Sequence, residues 1–166
     1  MRSELSTTSR DHPDFAFMRA RLSRWIAFGA GAGLSRAGPG TVGTLAAWAV
    51  WAWGLAQWRF EAQALLIIAS FGIGVWACQR VADDLRVNDH PAIVWDEIVA
   101  FWLVLMVVPS TYGSQFVAFL LFRFFDIVKP PPIRQIDASV PGGFGVMLDD
   151  LAAAFATILL MMILSH

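Results

Sequence analysis

Residues 62–79, AQALLIIASFGIGVWACQ, run for 18 positions without a charge. As a helix rising 1.5 Å per residue they extend roughly 27 Å, close to the hydrocarbon thickness of a bilayer. Arg59 and Glu61 precede the run and Arg80 ends it, so polar flanks bracket an apolar middle. Three further stretches share the pattern. Residues 37–58 carry no charge over 22 positions, residues 98–122 over 25, and residues 151–165 over 15. Turn residues from Pro109 to Gln115 split the third into two shorter helices. The fourth reaches spanning length only by starting near Met147. No alternating pattern marks a strand and no internal repeat is present. The expected fold is all-α: a multi-pass helical membrane protein, a compact bundle of about five main helices, some short or re-entrant.

Composition agrees. The chain has 166 residues, enough for one domain, and is 57% hydrophobic and 15% charged, with a mean hydropathy of +0.59. Soluble domains average about 45–50% apolar and about 25% charged. A net charge of −1 offers no basic field for nucleic acid. The single cysteine, Cys78, excludes an internal disulfide and sits in an apolar run, so it reads as a small hydrophobe. Residues 1–24 are polar and read as a flexible cytoplasmic tail, without the apolar core of a cleaved signal peptide. Residues 25–166 form the membrane-embedded domain.

Arg19, Arg21, Arg24 and Arg36 precede the first span and place the N-terminus inside. The spans then alternate: 37–58 outward, 62–79 inward, about 92–108 outward, 116–128 inward, and a last one from about Met147 outward to His166. In this arrangement Arg59 is the only one of twelve basic residues outside, and Glu61 the only one of thirteen acidic residues. The acidic bias means more, because acids carry little weight in setting topology. Asp83, Asp84, Asp89, Asp96, Glu97, Asp126, Asp149 and Asp150 all fall at helix ends on one side. Charges beside hydrocarbon are costly and need partners; the alternative is a set of solvated loop ends.

Three of these groups point to hard-cation chemistry. Asp96-Glu97 lies in IVWDEIVAFW, residues 93–102, where adjacent acids on an apolar helix point about 100° apart and cannot share one wet face. Carboxylates suit Mg²⁺; a helix-dipole role is the alternative. Asp126 and Lys129 are three apart before Pro130-Pro131-Pro132 and read either as an ion pair or as a metal ligand beside a phosphate contact. Arg123, one turn earlier, adds a bidentate donor. Asp149-Asp150 follows the glycine-rich 142–145, which alone reads as dipole stabilisation and beside the other acids as metal binding. Asp84 and Asp89 offer further ligands and His90 a proton shuttle, against a plain solvated loop. Gly38 to Thr44, GPGTVGT, opens the first span with free N–H groups that suit a phosphate or merely start a helix.

Absences narrow the chemistry. No cysteine is followed six positions later by arginine, no Asp-x-Asp-x-Thr or Asp-Gly occurs, and His12 and His166 are terminal. Cysteine, aspartyl-phosphate and histidine phosphatases and CDP-alcohol transferases are therefore disfavoured, which leaves metal-assisted attack by water. A cation-transporting protein or a structural membrane subunit with an acid-lined site is the alternative.

The ordered set PGTVGTL (39–45), Asp89-His90 with IVWDE (93–97), Phe122-Arg123 with Asp126 and Lys129-Pro130, Pro132-Ile133-Arg134, and Gly142-Gly143, Gly145, Met147 and Asp149-Asp150 resembles the phosphatidylglycerophosphatase A family from about Ala27 onward. The long N-terminal tail and Pro131-Pro132 depart from the family pattern, but neither touches the acids. The resemblance implies a helical, Mg²⁺-dependent hydrolase that converts phosphatidylglycerophosphate to phosphatidylglycerol and phosphate. Some relatives in the family are soluble, so the expected place in the bacterial inner membrane, with the active site facing the cytoplasm, rests on this chain's own hydropathy and charge pattern; no obligate protein partner is evident. On this reading Asp84, Asp89, Asp96, Glu97, Asp149 and Asp150 are metal ligands. Asp126 joins Asp96, Glu97, Asp149 and Asp150 in catalysis. Gly40, Thr41, Gly43, Thr44, Arg123, Lys129 and Arg134 hold phosphate.

Overall fold

A computed structural model describes residues 13–164. Residues 1–12 of the expected tail, with His12, and the terminal Ser165-His166 lie outside the described residues. Among those described no strand occurs. In chain order the elements are α1 (Phe15–Arg19), α2 (Leu22–Ala27), a 3-10 turn (Gly29–Leu34), α3 (Pro39–Trp53), a second 3-10 turn (Leu55–Gln57), α4 (Phe60–Leu85), α5 (Trp95–Val107), α6 (Tyr112–Val128), α7 (Ile133–Ser139) and α8 (Gly142–Leu164).

The apolar stretches became α3, α4, the pair α5–α6, and α8, and the break at Pro109 falls where turn chemistry placed it. Thr111 caps α6 by accepting from the Ser114 N–H at 3.2 Å. Lys129 then closes α6 in the left-handed region (φ 44°), and Pro130 forbids continuation. Among the described residues only α4, with 26 residues, and α8, with 23, are long and apolar enough to cross a membrane. α3, α5 and α6 have 15, 13 and 17 residues. Only 33% of the most apolar window of α4 and 44% of that of α8 is buried within the fold. A soluble core helix hides its apolar face, whereas these display Leu65, Ile68, Leu159 and Ile163 outward, as a membrane protein does.

α5 is the central helix, packed against α3, α4, α6 and α8, with Phe101 and Val104 fully enclosed. Small residues let its neighbours close in. A Cβ at Gly74 of α4 would meet Met147 Sδ at 2.6 Å and Trp95 at 2.7 Å. Three tryptophans inside the bundle make their hydrogen bonds to neighbouring helices. The Trp95 indole donates to Ser70 O (3.0 Å), Trp102 to Ala47 O (3.1 Å) and Trp48 to Gln115 Oε1 (2.7 Å).

Two boundaries differ from the sequence expectation. Residues 13–24, read as part of a mobile tail, form α1 and α2 against the bundle; Met18 is fully buried, and the Arg24 guanidinium lies 3.6 Å from the Phe17 ring centre. α8 begins at Gly142, five residues before Met147, because Gly142 (φ 79°) turns the chain and the Gly143 N–H donates to Gln79 Oε1 at 2.8 Å. Asp150 therefore stands roughly 12 Å along the helix from its start.

Candidate active site

One end of the bundle gathers the start of α3, the loop before α5, the first turn of α5, the last turn of α6 and the second and third turns of α8. These elements enclose a cavity of about 230 Å³ lined by Asp89, Asp96, Glu97, Asp126, Asp149 and Asp150, with Arg123, Lys129 and His90. Arg59 and Glu61 are at the other end of α4, paired to each other at 3.4 Å.

Each acid arrives for a local reason. Asp96 and Glu97 occupy the first turn of α5, where the exposed N–H groups favour negative charge. Asp126 ends α6. Asp149 and Asp150 lie beyond the first turn of α8, which contains no acid. The dipole effect fades within one turn, so it does not account for them. Both are buried, as are Asp96 and Glu97.

Their partners are few. Arg123 Nη1 donates to Glu97 Oε1 at 2.7 Å and to Asp126 Oδ2 at 2.6 Å. Lys129 donates to Asp137 Oδ1 at 3.0 Å and to Asp149 Oδ2. The Asp126–Lys129 ion pair, one of the two readings of their spacing, does not form; each takes another partner. Burial works against the Lys129 ammonium, but its bonds to Asp149 and Asp137 outweigh that and hold its pKa above the ordinary lysine value. Loss of solvation raises the Asp89 carboxyl, with Lys129 opposing. His90 Nδ1 accepts from the Ala92 N–H at 3.1 Å, which orients the ring at the cavity wall.

Asp96 Oδ1, Glu97 Oε2, Asp149 Oδ1 and Asp150 Oδ2 are buried without a hydrogen-bond partner. One carboxylate oxygen each from Glu97, Asp126 and Asp150 lies within 4.8 Å of the others. Around a six-coordinate ion with oxygens at about 2.1 Å, neighbouring ligands stand about 3 Å apart and opposed ones about 4 Å. Converging carboxylates of Glu97, Asp126 and Asp150, beside buried oxygens that lack partners, fit a divalent cation, and buried like charges are otherwise unfavourable.

Not every candidate residue is here. Asp84 is held by Arg21 (3.0 Å) and Arg24 (2.9 Å), away from the cavity wall, and ties α2 to α4. Arg134 is exposed on α7 and does not line the cavity. Thr44 spends its hydroxyl on Gly40 O at 2.8 Å within its own helix. Gly43 packs against Val94 and Glu97, while Thr41 sits half-buried beside Gly38. Of the 38–44 loop only Gly38, Pro39 and Gly40 reach the cavity. Gly40 matters sterically, since a Cβ there would overlap the Glu97 carboxylate. Sequence reasoning missed Asp137, the second partner of Lys129; it lies across the proline turn, and no local pattern announces it.

The model of the phosphatidylglycerophosphatase A family matches residues 25–165. Phosphatidylglycerophosphatase A of Escherichia coli K12 is 39% identical over 160 residues, covering 93% of this chain and 92% of that one. Phosphatidylglycerophosphatase A of Haemophilus influenzae is 37% identical over 142 residues, covering 85% and 87%. No solved structure matches the chain.

Proposed function

This chain belongs to the phosphatidylglycerophosphatase A family, and on that premise we propose that it hydrolyses phosphatidylglycerophosphate to phosphatidylglycerol and inorganic phosphate at the acid-lined cavity. The observation that carries the assignment to this cavity is the meeting of Glu97, Asp126 and Asp150, within 4.8 Å, beside two cations. A cation path or structural subunit is not favoured: the acids sit at one end of the bundle, and Arg123 and Lys129 stand among them.

Glu97, Asp126 and Asp150 would hold Mg²⁺, and Asp96, Asp149 and Asp89 line the same cavity. The ion, when bound, supplies Lewis acidity toward phosphoryl oxygens and water. Lys129 donates to the terminal phosphate from the α6 C-terminus. Arg123 has its Nη1 committed to carboxylates, which leaves its Nη2 and its buried Nε, the latter without a partner, as donors for phosphate oxygens. One of the two unpartnered oxygens, Asp96 Oδ1 or Asp149 Oδ1, takes the proton of the attacking water and passes it to the departing glycerol oxygen. The phosphorus–oxygen bond to glycerol breaks as the bond to water forms. The chain lies in the bacterial inner membrane with the cavity on the cytoplasmic side, as the confinement of charge to that end supports, and the acyl chains stay in the bilayer.

The assay is phosphate release from purified protein in detergent, with phosphatidylglycerophosphate or phosphatidic acid, before and after EDTA. Release from phosphatidylglycerophosphate that EDTA abolishes and added Mg²⁺ restores is the expected outcome. Release that survives exhaustive chelation removes the metal; no release from either lipid removes the phosphatase.

A further inference from the structure

A second cavity, of about 570 Å³, adjoins the acid-lined one and shares Pro39, His90 and Pro91 with it. Its other walls are Pro13, the end of the first 3-10 turn (Gly33, Leu34, Ser35), Arg36 and Ala92. The mechanism above leaves this space unused. Among the described residues that line it there is no carboxylate, and Arg36 is the one permanent cation, the reverse of its neighbour's chemistry. Arg36 forms no ion pair with any described residue, whereas Arg123 and Lys129 are both held by acids. Arg36 also precedes the apolar helix α3 by three residues.

A lipid whose headgroup carries two phosphates joined by a glycerol needs two sites of this kind side by side. We propose that the larger cavity is the subsite for the substrate's inner phosphodiester, and that Arg36 is the residue that reads it. The proposal rests on the function assigned above and deepens it. The monoester enters the acid-lined cavity, the glycerol passes along Pro39, His90 and Pro91, and the diester meets the Arg36 guanidinium. Arg36 thereby selects two-phosphate lipids over one-phosphate lipids and takes no part in bond breaking.

The test compares wild type with Arg36→Gln and Arg36→Lys. Arg36 is exposed and its replacement leaves packing intact. The expected KM of Arg36→Gln for phosphatidylglycerophosphate is roughly tenfold higher, as for a lost charged hydrogen bond, with kcat within about twofold. Arg36→Lys recovers most of the loss. Calorimetric binding of two soluble probes supplies the second readout: the deacylated headgroup glycerophosphoglycerophosphate, which has the diester, and glycerol 3-phosphate, which lacks it. Wild type prefers the first, and Arg36→Gln loses that preference. Unchanged KM, or equal weakening of both probes, overturns the proposal. Failure of wild type to release phosphate from the lipid sinks the assigned function instead, and the probe ratio still decides Arg36.

Discussion

Asp150→Asn abolishes phosphate release, by a factor on the order of 10³ or more, while raising the apparent thermal midpoint of the metal-free protein in detergent. The two effects share one cause. Asp150 is 3% exposed, sits beyond reach of the α8 dipole, and has an oxygen without a partner facing Glu97 and Asp126. An unpaired buried carboxylate beside like charges is unfavourable for folding and persists where a ligand repays it. Asparagine keeps the shape, removes one of three converging charges, and weakens cation binding. The midpoint gain is about 2–4 °C per kcal/mol of relieved repulsion for a chain of this size. Phosphate release and thermal unfolding of the same preparation check it. Near-normal turnover takes Asp150 out of the site; a lowered midpoint makes it a structural residue.

Gly40→Ala loses activity on the order of 100-fold, the scale of a misplaced catalytic group, although alanine is the better helix former. Gly40 sits in the first turn of α3, and a Cβ there would overlap the Glu97 carboxylate, with Glu97 Oε2 at 2.6 Å. Propensity alone favours alanine by about 1 kcal/mol, so any loss is steric and acts through Glu97. Gly72→Ala is the control: it lies in α4 with nothing within 4 Å of the added Cβ, and its activity stays at the wild-type level. Equal rates for Gly40→Ala and wild type would show that Glu97 does not need its present position.

The fold and the cluster were legible for different reasons. Uncharged runs bounded by arginine or glycine announce helices directly, and Pro109 and Pro130 mark where α5 and α6 must stop. The gathering of Asp96, Glu97, Asp126, Asp149 and Asp150 was legible because a bilayer topology sends their helix ends to one side. What the sequence does not encode locally was missed. Asp84 resembles its neighbours until its partners are known, and these, Arg21 and Arg24, are about 60 residues away. The same long-range pairing turned residues 13–24 from a tail into α1 and α2. The spacing of Lys129 from Asp126 leaves an ion pair open, but its left-handed backbone at the end of α6 swings it to Asp149 and Asp137. Thr44 belongs to the 38–44 segment that suits a phosphate; within a helix its hydroxyl bonds its own backbone instead.

Anomalous diffraction from crystals grown with Mn²⁺ in place of Mg²⁺ bears most directly on the cation site. The peak should fall among the carboxylates of Glu97, Asp126 and Asp150, and should vanish in Asp150→Asn crystals. A protein that hydrolyses its lipid with no peak there, or with the ion bound near Asp83 and Asp84 instead, would contradict the site.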